Sequence, residues 1–66
     1  MNVIKVTEQR RGTSETAVCL VNPSHIVKAC SYQGVTVITL SNSDYPVWCV
    51  ETPSEIYDMI GELNDQ

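Results

Sequence analysis

The sequence of 66 residues lacks most of the features on which membrane-spanning and catalytic proteins depend. It has no phenylalanine, one histidine and three glycines, with only four lysines or arginines. No apolar run approaches the roughly 18 residues that a membrane-spanning helix needs, so no membrane span is expected. The first residues also lack a basic segment followed by an apolar core, so no secretory signal is expected.

The shortage of histidine and glycine argues against an enzyme. Nucleophilic catalysis needs a cysteine or serine beside an oriented base, whereas His25 follows an Asn-Pro turn and is typical of a surface or capping residue. Three glycines do not supply a phosphate-binding loop. The acids Glu55, Asp58 and Glu62 share a helix face, which is the ordinary pattern of a solvated face. We therefore expect a noncatalytic protein without a cofactor.

The cysteines give little sign of a disulfide or a metal site. Cys19, Cys30 and Cys49 are an odd number and lie in apolar runs, which predicts buried free thiols. Their spacings of 11 and 19 residues do not match a zinc motif such as Cys-x-x-Cys. A Cys3His site assembled from separate strands stays open, but no metal is expected. Free thiols without a secretory signal predict a cytoplasmic protein.

Charge is unevenly distributed along the chain. Residues 1–33 hold all four cations and two acids, whereas residues 34–66 hold six acids and no cation. No stripe of lysine and arginine is present to neutralise a run of phosphates, so nucleic acid is not expected as a partner. The pair Arg10-Arg11 is either a contact for a carboxylate or phosphate, or an exposed solubilising pair.

Short β-branched segments separated by turn residues predict a small sheet. Asn22-Pro23-Ser24 predicts a break between two strands, and Asn42-Ser43-Asp44 predicts a turn. Tyr32-Gln33-Gly34 predicts a three-residue hairpin loop with glycine in the left-handed region. The predicted strands cover residues 3–7, 16–21, 26–31, 35–40 and 47–50, and the polar residues 8–15 form a predicted loop.

A helix is predicted at the end of the sequence. Thr52 as N-cap, Pro53 at the first helical position and Glu55 three residues after the cap form a capping box. An apolar stripe follows at helical spacing, at Ile56, Met59, Ile60 and Leu63. The predicted fold class is α+β and mostly β: one domain over residues 1–66, with an antiparallel sheet of about five strands and a C-terminal helix over about 53–63.

The strands predict self-association. Val18-Cys19-Leu20-Val21 and Val47-Trp48-Cys49-Val50 are apolar on both faces, but a helix about 10 Å wide covers only part of one face of a sheet over 20 Å wide. A chain this short is also only marginally stable alone. We expect a homo-oligomer, most simply a two-fold dimer. Residues expected in core or oligomer packing are Val47, Trp48, Val50, Ile56, Met59, Ile60 and Leu63.

Two groups of side chains are candidate contacts for a partner protein. The acidic helix face, with Glu55, Asp58 and Glu62, predicts docking on a basic protein. Arg10 and Arg11 are the second group. The aromatic residues Trp48 and Tyr57 are expected to pack rather than to stack on a ligand.

Four segments together resemble the short flagellar and swarming-motility proteins of the FlbD type, and the likeness spans nearly the whole chain. The resemblance implies a small β-rich bacterial protein with a C-terminal helix and no established chemistry; similar proteins are also found in phage genomes. The sequence departs from the family pattern in its longer loop at residues 8–15 and in Asn42-Ser43-Asp44. The segments are Ile4-Lys5-Val6-Thr7, Leu20-Val21-Asn22-Pro23-Ser24-His25-Ile26, Thr36-Val37-Ile38-Thr39-Leu40 and Val50-Glu51-Thr52-Pro53-Ser54-Glu55-Ile56.

A weaker resemblance, through Arg10-Arg11-Gly12, Glu15-Thr16, the strand order and Glu55-Ile56-Tyr57, is to the CsrA family of RNA-binding translational regulators. CsrA-like proteins are dimers of interlocked strands and carry a basic RNA contact just before the helix. Here that position reads Val50-Glu51-Thr52. We therefore expect a noncatalytic bacterial or phage protein acting by protein-protein interaction, as an FlbD-like accessory factor or a phage modulator of a host factor, with a CsrA-like RNA binder as the alternative.

Overall fold

A computed structural model describes residues 2–10 and 12–64. It contains an antiparallel five-stranded sheet, a short 3₁₀ turn at Pro23–His25 and one C-terminal helix, which confirms the predicted mostly β, α+β class. Within these ranges no helix is long and apolar enough to cross a membrane. The strands are Ile4–Gln9 (β1), Thr16–Val21 (β2), Ile26–Tyr32 (β3), Val35–Leu40 (β4) and Val47–Cys49 (β5), and the helix is Pro53–Asn64 (α1).

The strand order across the sheet is β2-β1-β5-β4-β3, and every pair is antiparallel. Consecutive strands pair with one another except β2 with β3, and β5 pairs back onto β1. This is the pairing of a five-stranded meander barrel opened between β2 and β3. The 3₁₀ turn lies at the opening, where the Asn22 side chain accepts hydrogen bonds from the backbone N–H (3.0 Å) and hydroxyl (2.8 Å) of Ser24.

Some strand boundaries differ from those predicted. β1 extends to Gln9 because Glu8 and Gln9 pair with Ala17 and Thr16 of β2, so the predicted loop at residues 8–15 begins only at Arg10. β3 includes Tyr32. β5 ends one residue early, at Cys49. The polar side chains of β1 do not prevent pairing, because none of them is fully buried.

The hairpin between β3 and β4 has two loop residues rather than the three that were predicted. Tyr32 pairs directly with Val35, which leaves only Gln33 and Gly34 in the turn. Both have positive φ, 50° and 85°, as a type I′ turn requires. Gly34 is the glycine that was expected in the left-handed region. Gln33 is a second left-handed residue, which was not expected.

The sheet has an inner face, which holds the core, and an outer face. The inner face carries Ile4, Val6, Val21, Ile38, Val47 and Cys49, which are all buried, together with Ile56 of α1. Because side chains alternate along a strand, the register places the intervening residues on the outer face. These are Lys5, Thr7 and Gln9; Thr16, Val18 and Leu20; Lys28, Cys30 and Tyr32; Val35, Val37 and Thr39; and Trp48.

Helix α1 lies against the inner face through its apolar stripe. Ile56 is buried, and Met59, Ile60 and Leu63 are half-buried against the core. The expected capping box is formed: the Thr52 N–H donates to Glu55 Oε1 (2.9 Å), and the Glu55 N–H donates to Thr52 Oγ1 (3.1 Å). A local sequence signal therefore sets where the chain leaves the sheet and begins the helix.

The cysteines are free thiols in three different environments. Cys49 is buried, Cys19 is half-buried and Cys30 is exposed, so the expectation of buried thiols is wrong for Cys30. The reason is strand alternation: Cys30 pairs with Val37 on the outer face, whereas Cys49 points into the core.

We predict that Gln33→Asn stabilises the protein by about 0.5 kcal/mol, because asparagine tolerates the left-handed region better than glutamine. Gln33→Val, which is β-branched at the same site, should destabilise it by about 1 kcal/mol. Urea unfolding followed by circular dichroism measures both changes. Equal stability of the two variants would contradict the type I′ turn.

Candidate functional site

The outer face carries large apolar side chains that the single helix does not cover. Val18 is 69% exposed, Leu20 59% and Tyr32 55%, and Val50, just past β5, is 46% exposed. Scattered apolar residues are normal on a protein surface, but a contiguous patch marks an interaction site. Of these, Tyr32 lies in a contiguous group on β3, β4 and β5, since Tyr32 pairs with Val35 and Val37 pairs with both Cys30 and Trp48; this group is the outer-face patch. Val18 and Leu20 lie apart from it on β2, beyond the polar outer row of β1.

An aromatic pair lies within this patch. The rings of Tyr32 and Trp48 meet edge to face, with centroids 6.4 Å apart and planes at 76°. This geometry is favourable for aromatic rings and holds both side chains in place. Trp48, which was expected to pack, therefore packs against Tyr32 on the outer face rather than in the core, while Tyr57 of α1 is 77% exposed.

Two shallow clefts adjoin the aromatic pair. One, of about 230 Å³, lies between the pair and the β1–β2 loop, with Gln9, Arg10 and Thr13 on its other side. The other, of about 490 Å³, runs across β3 and β4 past Lys28, Cys30 and Thr39. Tyr32 and Trp48 line both clefts, so the pair is flanked by a cation on either side.

The structure places the sequence-predicted contact residues on separate surfaces. Arg10 lines the cleft of about 230 Å³. Its backbone N–H donates to the Glu15 carbonyl (3.1 Å), and its carbonyl accepts from the Thr13 N–H (3.4 Å). Its neighbour Arg11 lies outside the described residues. Asp58 and Glu62 are exposed on α1, on the other side of the sheet.

The three predicted acidic residues of the helix are not equivalent. Glu55 is exposed, but its carboxylate accepts the Thr52 N–H at the start of α1. It therefore has a structural role at the helix N-terminus, where a negative charge is also favourable. Among the described residues neither Asp58 nor Glu62 makes such a capping bond, and both are exposed on the acidic face.

Glu51 joins three strands at the point where β5 ends. Its carboxylate accepts the backbone N–H of Thr7 at Oε1 (2.8 Å) and the Thr7 hydroxyl at Oε2 (2.9 Å). Its carbonyl accepts the hydroxyl of buried Thr36 in β4 and the Cys49 thiol (3.8 Å). β5 ends at Cys49, so beyond it the Glu51 carboxylate takes the place of a strand carbonyl as the acceptor for the Thr7 N–H.

The pKa of Glu51 follows from these contacts. Partial burial acts to raise the pKa of this carboxyl, but the hydrogen bonds from Thr7 outweigh burial and hold the pKa below its ordinary value. No local pattern predicts this role, since the partner Thr7 is 44 residues away. The one available signal was an acidic residue between an apolar strand and a helix cap.

The two inward-facing thiols are poor nucleophiles. Burial, with the nearby carboxylate of Glu51, raises the pKa of Cys49 to about 11. Burial, with the charge of Glu8, also raises the pKa of Cys19. Since the thiolate is the reactive form, neither environment activates a cysteine.

The described residues show no further cluster of chemically active groups. Within residues 2–10 and 12–64, no three His, Cys, Asp or Glu side chains are grouped so that they could hold a metal ion. His25 is half-buried at the end of the 3₁₀ turn, with Nδ1 3.3 Å from Ser41 Oγ and its carbonyl accepting the Ser41 N–H (2.7 Å). It fastens the β2–β3 connection to the end of β4.

Comparison with known proteins gives no match: no protein-family model, curated protein or solved structure matches this chain.

We predict that Glu51→Gln destabilises the protein by about 1–2 kcal/mol at pH 7, because charged hydrogen bonds to Thr7 become neutral ones. The pKa of Glu51 is lowered by folding, so its stabilisation is complete above the ordinary value of about 4.5 and is lost as pH falls through the folded-state pKa. The difference between wild type and variant should therefore vanish in acid. Urea unfolding at a series of pH values measures this. Glu62→Gln, at an exposed position, is the control and should show no such difference; a pH-independent Glu51→Gln effect would contradict the assignment.

We predict that iodoacetamide modifies Cys30 first and Cys49 last in the native protein at pH 8. Cys30 is exposed, whereas Cys49 is buried and, with a pKa of about 11, holds roughly one thiolate in a thousand molecules at this pH. Peptide mass mapping over time gives the three rates. The order should disappear in denaturing urea, and equal native rates would show that the core admits the reagent.

Proposed function

We propose that the protein is noncatalytic and cytoplasmic and acts by binding another protein through its outer face. Within this class we propose an FlbD-like accessory factor or a phage-encoded modulator of a host factor. The observation that most supports a binding role is the aromatic pair Tyr32 and Trp48, which lines two clefts between Arg10 and Lys28. Tryptophan, tyrosine and arginine are enriched among the residues that dominate the binding free energy of protein interfaces.

The chemistry of the outer face indicates what kind of partner segment fits it. Apolar or aromatic side chains would fill the clefts beside Trp48, and carboxylates would meet the cations at either end. Lys5, on β1, adds a third positive charge to this face. We therefore propose an acidic segment with apolar anchors, which differs from the basic partner expected for the helix face at Asp58 and Glu62.

The alternative function is RNA binding in the manner of a CsrA-like regulator, with Arg10 and Arg11 as contacts. Aromatic rings beside cations also stack single-stranded bases. Affinity for RNA, however, depends on the number of phosphates that are neutralised. The whole chain has four lysines and arginines and a net charge of −4, which favours the protein partner.

We also propose that the protein is a homo-oligomer, with a dimer as the simplest form. The exposed apolar side chains of the outer face support this, because a second copy would remove part of this surface from water. Sedimentation equilibrium at micromolar concentration tests it, and a monomer would contradict it.

Selection from a displayed library of random 12-residue peptides tests the binding face. We expect enriched peptides that combine Asp or Glu with an apolar residue, and that lose roughly tenfold or more in affinity for the Arg10→Glu, Lys28→Glu variant. Fluorescence of the single tryptophan, Trp48, should report binding of the wild type.

The matched control is Asp58→Lys with Glu62→Lys, which changes two exposed charges on α1 and should leave affinity unchanged. Loss of binding in this control alone, with basic peptides enriched, would move the site to the acidic helix face. Tight binding of GGA-containing RNA that weakens steeply with salt would overturn the proposal in favour of the RNA-binding alternative.

A further inference from the structure

Strand β2 forms one end of the sheet. Its partner on one side is β1, along the whole of Thr16–Val21, and the described residues place no strand on its other side. An edge strand presents unpaired N–H and C=O groups, and natural proteins commonly protect such edges with charges, prolines or bulges.

The hydrogen bonds of Thr7 show which backbone groups of β2 point outward. The Thr7 N–H donates to Glu51 and the Thr7 carbonyl accepts from the Val50 N–H, so both groups point away from β2. Thr7 is in register with Val18. In an antiparallel ladder such a pair makes no mutual hydrogen bonds, so the N–H and C=O of Val18 point to the open edge. By alternation, those of Thr16 and Leu20 do the same.

Strand β2 also lacks the protection that the opposite edge has. Its sequence, TAVCLV, contains no charge and no proline, and Val18 and Leu20 are among the most exposed apolar residues. At the other edge, β3 contains Lys28 and a break in register between Ile26 and Lys28. The two edges therefore differ, and only β2 is a regular and uncharged template for another strand.

We infer that β2 is the edge through which two copies of this chain bind, as an antiparallel pair about a two-fold axis at Val18. In this register Val18 lies opposite Val18 of the second copy, and Thr16 lies opposite Leu20 of the second copy. Each copy offers three outward N–H and three outward C=O groups, so all of them pair across the axis. The inference rests on the proposed dimer and adds the strand that forms it.

A second copy of this chain fits the edge for two reasons beyond the hydrogen bonds. The register is self-complementary, as a two-fold interface requires. Because β2 is uncharged, pairing two chains of net charge −4 places no like charges opposite one another in the new ladder. The side chains of Val18 and Leu20 would also meet their counterparts on the outer face and lose part of their contact with water.

The test compares Val18→Lys with Val50→Lys by sedimentation equilibrium. Both positions are exposed and apolar, but only Val18 lies on the free edge, where two lysines would face each other across the axis. We expect a wild-type dimer at micromolar concentration, a Val18→Lys dissociation constant raised roughly tenfold or more, and an unchanged Val50→Lys dimer. Circular dichroism shows whether each variant is folded.

Chemical synthesis of the chain with an N-methyl group on Val18 removes the outward N–H without adding a charge, and decides the question if Val18→Lys fails to fold. A monomeric wild type would overturn both the proposed dimer and this inference. A dimer that persists in both Val18 variants would overturn the β2 edge alone and leave the dimer in place. Open-ended assemblies of the wild type would instead indicate pairing of β2 with β3 and overturn the two-fold register.

Discussion

The fold depends on how the chain leaves the sheet at Glu51. Where β5 ends, the Glu51 carboxylate holds the backbone and hydroxyl of Thr7, and its carbonyl receives the Thr36 hydroxyl. The next residue, Thr52, caps α1. Glu51 and Thr52 together therefore fix β1, β4, β5 and α1 relative to one another. The apolar stripe of α1 then packs against the inner face. An apolar residue at this position would leave the Thr7 N–H without this acceptor.

The same arrangement explains why the two faces of the sheet differ. One 12-residue helix is available, and it is held against the inner face, where Ile56 completes the core. Nothing among the described residues covers the outer face, so Val18, Leu20 and Tyr32 remain in contact with water. One helix therefore covers the inner face and leaves the outer face exposed among the described residues.

Much of the fold could be predicted from the sequence because its signals are local. The strands Thr16–Val21 and Val35–Leu40 and the capping box at Thr52 and Glu55 are all read from neighbouring residues. The loop at Gln33 was misjudged because glutamine rarely adopts positive φ.

The candidate site was less accessible to prediction. The outer-face patch depends on the strand order β2-β1-β5-β4-β3, which brings Trp48 beside Val37 and Tyr32, and no local pattern specifies that order. Cys30 was expected in the core because its run looks apolar, although alternation turns it outward. The role of Glu51 depends on a residue 44 positions away, so only the folded chain reveals it.

The opening between β2 and β3 has a consequence for how the chain folds. Without that pairing, the molecule consists of a β1–β2 hairpin and a β3–β4–β5 meander, each formed by strands adjacent in sequence. The contacts of β1 with β5 and Glu51 are the strand contacts that unite them. Closing a loop of 44 residues costs roughly 3 kcal/mol in chain entropy. The turns of each half close over short stretches of chain, so we expect the encounter between the two halves to be the slower step of folding.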